Sequence, residues 1–137
     1  MNPQKIYMLR LKPNQDLKLS LKAFMMEHSI QTGAILSAVG SLSHMQVRVA
    51  DGKTTRQCDE ARELISLSGT LSDGHIHAHI AAINEKMDVF GGHLLEGCII
   101  HTTMELVIAD YSKLYESHRV TDEVTGYDEL ELVRIDK

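Results

Sequence analysis

Apolar and polar positions alternate along most of this chain. Residues 5–11 begin the pattern, with Ile6, Met8 and Arg10 on one face and Tyr7, Leu9 and Leu11 on the other, which predicts a first strand. Pro13 and Asn14 end it. After Asp16 the period changes. Leu17, Leu21, Phe24, Met25 and His28 recur at helical spacing, so a helix should start near Asp16, and Gly33 should close it. Beyond Gly33 strand-like runs return, at 34–42, 45–50, 63–71, 75–83, 98–109, 115–120 and 129–135. Turn signals separate them at Asp51-Gly52, Ser72-Asp73-Gly74, Asn84-Glu85 and Gly91-Gly92. The polar run 56–62 reads as a loop or short helical turn. The sum is one α+β domain over residues 1–137, a mainly antiparallel, curled β-sheet flanked by one or two helices.

Composition narrows the function. The chain has 137 residues, 43% hydrophobic and 24% charged, enough for one self-standing core. No apolar run reaches the length of a membrane span, and the opening residues lack the apolar stretch of a secretion signal. A cytoplasmic location is expected. The formal charge is −5, which argues against a broad polyanion-binding surface. Trp is absent and aromatics are 4%, too few for base-stacking platforms. Cys58 and Cys98 have no metal or redox spacing and are expected to be thiols.

Chemistry concentrates in eight histidines, three of them at His75, His77 and His79. With period two these share one strand face, while Ile76, Ala78 and Ile80 face a core. Neighbours on that face lie about 6.6 Å apart, so two imidazoles can converge on one ion. The outer pair spans about 13 Å, so a third ligand should come from another segment. His93, after Gly91-Gly92, is the best candidate. Three neutral imidazoles with an open position suit zinc, and also iron, nickel or copper. In the run 98–108, His101, Thr103 and Glu105 occupy the polar face. Glu105 is the candidate catalytic residue, as a general base, a fourth ligand or an orienter of an imidazole. The histidine face has a plainer reading, as an exposed polar face or a subunit seam. A cupin assignment fails, because Ala81 and Ala82 stand where that motif needs a carboxylate.

Five motifs together resemble the PPC (or PCC) domain, the plants-and-prokaryotes-conserved domain. They are Leu67-Ser-Gly-Thr-Leu71, His77-Ala-His79, Gly91-Gly-His-Leu-Leu-Glu-Gly-Cys98, Thr102-Thr-Met-Glu-Leu106 and Tyr127-Asp-Glu-Leu130. The resemblance covers nearly the whole chain. It implies a homotrimer and, in prokaryotic members, a metal, often zinc, held by the histidines that fall here at His77, His79 and His93. It thereby favours the 77/79 pair, which spacing leaves open. It also implies a regulatory role associated with DNA. In plants, however, the domain follows an AT-hook, and this chain has none. Similarity of fold to acetolactate decarboxylase implies the alternative: a zinc-dependent lyase or hydrolase on a small carbonyl or carboxylate compound, and so a small-molecule ligand.

Overall fold

Asp16 starts the helix through its side chain. In the computed structural model, which describes residues 4–136, its carboxylate accepts the Leu19 amide at 3.0 Å and the Gly97 amide at 2.7 Å. One orphan donor of the first turn is thus satisfied and the helix is tied to the loop ahead of β7 (Ile99–Asp110). Helix α1 (Leu17–Glu27) buries Leu17, Leu21 and Met25, one face at a spacing of four. It ends sooner than Gly33. Ser29 takes a left-handed conformation with φ 53. The Ile30 amide reaches back to the Met25 carbonyl and the Ser29 amide to that of Met26. This double closure satisfies the last carbonyls, and Ile30 buries beside Met25. Gly33 therefore lies inside the following strand.

The remaining elements are strands: β1 (Lys5–Leu11), β2 (Thr32–Arg48), β3 (Thr55–Cys58), β4 (Arg62–Ser72), β5 (His75–Ile83), β6 (Val89–Leu94), β7, β8 (Tyr115–Thr121) and β9 (Asp128–Arg134). Seven of them form one antiparallel sheet in the order β1-β7-β2-β4-β5-β6, with β3 on β2. The second sheet is the β8–β9 hairpin. α1 is the one helix among the described residues.

The curl is a closure. β2 is 17 residues long. Its first half pairs with β4 and its last residues, Val47 and Arg48, pair with Leu94 and His93 of β6. The strands β2, β4, β5 and β6 therefore form a ring. Register shifts near Leu36, Ser41 and Ser43 bend β2 between its partners, and these breaks in alternation make one strand read as two. The run 56–62 also differs from expectation. Residues 55–58 are strand, and Arg62 opens β4 with a buried guanidinium that donates to the carbonyls of Ala82 and Asp88.

Inside, Leu42, Met45, Leu71, Ile76, Ile100, Met104, Leu106 and Ile108 join the helix residues in one apolar cluster. Each such side chain, fully buried, stabilises by about 1.5–3 kcal/mol. Along β5 the alternation is complete: Ile76, Ala78 and Ile80 are buried and the three histidines point outward.

Candidate metal centre

β6 carries the decisive backbone. Gly91-Gly92 was expected to mark a turn, and instead both residues lie within the strand. A Cβ on Gly92 would sit 2.7 Å from the Arg48 carbonyl oxygen, and one on Gly91 2.3 Å from that of Ile80. Only bare backbone fits between β5 and β2 here. That close approach sets His93 directly opposite His79 on β5 and opposite Arg48 on β2. Directly paired residues share a face, about 5 Å apart at Cα.

Three imidazoles meet as a result. The ring centroids of His77, His79 and His93 are 5.4 Å (77–79), 5.4 Å (77–93) and 5.7 Å (79–93) apart. One nitrogen from each lies within 4.8 Å of the others. Tetrahedral zinc with Zn–N of 2.0–2.1 Å needs nitrogens about 3.3 Å apart, within reach of small ring rotations. Among the described residues no protein group hydrogen-bonds to any of the three rings.

Electrostatics favour the form that ligates at His93 and His77. Burial first, then the Arg48 guanidinium and His77, pull the His93 pKa from 6.5 down to about 4. Burial first, then His79 and Arg119, lower that of His77. Neutral imidazoles leave a lone pair for a cation. The three residues thus fit a metal by donor type and separation.

The other candidates fall elsewhere. His75 continues the face toward the β4–β5 turn, opposite Ser72, and is outside the cluster. Glu105 pairs with Arg10 on β1 and Val39 on β2. It lies three strand spacings from β5, about 14 Å along the sheet. His101 is on the same strand, β7, and the nearby Thr103 hydroxyl accepts from Arg10. Cys98 is fully buried, its thiol raised to about 11 chiefly by burial; both cysteines are free thiols.

Beside the imidazoles opens a cleft of 520 Å³, lined by Arg48, Ser66, His77, His79, His93 and Tyr127. An adjoining cleft of 470 Å³ carries it on to Lys18, His75 and Arg119. Alternation in the sequence did not disclose these cationic residues. Arg48 reaches the site only through the non-local β2–β6 pairing, for which no local pattern exists.

Comparison with known proteins places this chain in a family. A hypothetical protein from Salmonella enterica matches with a TM-score of 0.91 and 33% identity, over 96% of this chain and 94% of that one. A metal-containing protein from Archaeoglobus fulgidus matches at 0.78 and 26%, over 96% and 94%. A plant- and prokaryote-conserved (PPC) protein from Pyrococcus horikoshii matches at 0.77 and 27%, with the same coverage. In sequence, the chain is 42% identical over 131 residues to the Bifunctional protein GlmU of Synechococcus sp. (strain JA-3-3Ab). That match takes in 96% of this chain and 21% of the relative, so the chain spans about a fifth of that protein's length. The pattern defining the Plants and Prokaryotes Conserved (PCC) domain matches residues 1–112. The chain belongs to the PCC domain family.

Proposed function

We propose that this PCC domain is a metal-centred module in which His77, His79 and His93 hold one divalent transition metal, zinc first among them, facing a small-molecule cleft. The observation that carries it is the convergence of three imidazoles from two strands, none hydrogen-bonded to protein among the described residues, with burial lowering the pKa of His93 and His77. The metal content of the Archaeoglobus relative supports it. Bound there, zinc would supply a Lewis acid with an open position, able to polarise a carbonyl or acidify a water. The domain's own contributions are a cleft of ligand size and a cationic wall at Arg48. This favours the reading as a small-carbonyl or carboxylate lyase or hydrolase. Glu105 would have to reach such a site from another subunit, because its own chain holds it apart.

A homotrimer belongs to the same proposal. Ile6, Met8 and Val39 leave an apolar outer sheet face, Met8 80% exposed, which suits burial between copies. A regulatory DNA-binding role is supported by two structural neighbours described as candidate DNA-binding proteins, from Bacteroides thetaiotaomicron and Ralstonia eutropha. Against it stand the −5 charge and the confinement of Lys18, Arg48 and Arg119 to clefts.

The test is elemental analysis of untagged protein with X-ray absorption at the metal edge. About one metal per chain in an all-nitrogen and oxygen shell is expected. Metal-free protein that takes up no zinc would overturn the reading. Steeply salt-dependent binding to mixed duplex DNA would instead favour the regulatory role.

A further inference from the structure

Two of the cations beside the histidines carry a buried nitrogen without a partner. Arg48 shares a row with His93 and His79 across β2, β6 and β5. Its guanidinium makes no hydrogen bond or ion pair among the described residues, and its Nε is shielded from solvent without a partner. Arg119, on β8, donates Nε to the Ser72 hydroxyl at 2.9 Å. One of its terminal nitrogens is likewise buried and unpaired. Lys18, in the first turn of α1, lines the same cleft without an ion pair. A desolvated, unpaired guanidinium nitrogen is costly unless something completes it.

Resting on the metal reading for its neighbour, we propose that Arg48, with Arg119 and Lys18, forms an oxyanion subsite, so that the cleft takes a small organic anion bearing a carboxylate or phosphate group. Guanidinium groups match both oxyanions through paired N–H donors. Arg48 lines both clefts, next to the imidazoles in the first and next to Arg119 in the second. A ligand anchored there therefore presents its remaining atoms to the histidines. Asp128 and Glu129 also line the second cleft. Asp128 is engaged by the Thr121 hydroxyl, and neither carboxylate pairs with the three cations. Two carboxylates in the lining favour an occupant with a single strongly anionic group.

The experiment uses the full chain, stripped of metal and then loaded with zinc, titrated separately with inorganic phosphate and with pyruvate. NMR follows the arginine Nε–H resonances and gives the affinity; zinc stoichiometry is measured in parallel. Wild type should bind one of the two anions with a shift of the Arg48 Nε–H signal, and the tighter probe tells phosphate from carboxylate ligands. Arg48→Met should weaken that anion about 10- to 100-fold, with Arg48→Lys intermediate. Arg119→Met should weaken it less, and Arg10→Met on the outer sheet face should leave it unchanged. Should Arg48→Met lose its fold, Arg48→Lys and Arg119→Met carry the test. Unchanged affinity in the Arg48 and Arg119 variants with zinc retained overturns the subsite and leaves the metal reading standing. Arg48-dependent anion binding by protein that takes up no zinc does the reverse. Failure of zinc-loaded wild type to bind either anion overturns the subsite.

Discussion

β5 and β7 are written in the same pattern and end with different chemistry. Each alternates an apolar inner row, Ile76, Ala78 and Ile80 or Met104, Leu106 and Ile108, with a polar outer row. The outer rows are His75, His77 and His79 against His101, Thr103 and Glu105. β5 lies between β4 and β6, where a glycine pair lets a third imidazole and an arginine crowd in. β7 lies between β1 and β2, where Glu105 faces Arg10 and Val39. Alternation assigns a face; the lateral neighbours assign the function.

The sharpest way to break this contrast is metal uptake. His93→Ala should drop zinc from one per chain to below about 0.1, since two imidazoles alone make a weak site. Glu105→Gln should keep full occupancy. Elemental analysis of both variants checks this, and loss of zinc in the glutamate variant would reconnect the two strands. Next in size is the squeezed strand. Gly92→Ala forces a Cβ against the Arg48 carbonyl and should cost about 1–3 kcal/mol in urea unfolding.

Protonation gives a smaller, signed effect. In metal-free protein His93 holds its proton only near pH 4, whereas unfolded histidine takes one near 6.5. Protons therefore favour the unfolded chain, and the stability present above pH 6.5 is lost as pH falls toward 4. Melting temperatures from pH 7 to 4 should decline less steeply in His93→Gln than in wild type. Smallest of all, Arg10→Gln removes an exposed bond to the Thr103 hydroxyl beside Glu105. It should shift stability by less than about 0.5 kcal/mol, measured in the same urea titration. A larger loss would mean that the β7 face is more than a solvated surface.

What could be read from the residues was local. Period two exposes the β5 histidines because facing is settled by neighbours two positions away. Asp16 announces α1 for the same reason: its partner Leu19 is three residues on. The helix end was misplaced because Ser29, not a glycine, takes the left-handed turn. β6 was missed because two glycines that permit tight lateral packing look the same as two that permit a turn. Arg48 stayed hidden, and Glu105 looked like a neighbour of the histidines, because strand order is set by packing between distant segments.

The ring closes by its shortest ladder. Two residue pairs join β6 to β2, against five joining β6 to β5. Thermal breathing should part this seam first, and β6 then swings away still attached to β5. His93 travels with His79, and Arg48 stays behind on β2. Parting of this seam thus separates the arginine from the imidazoles, and resealing brings the two back into register.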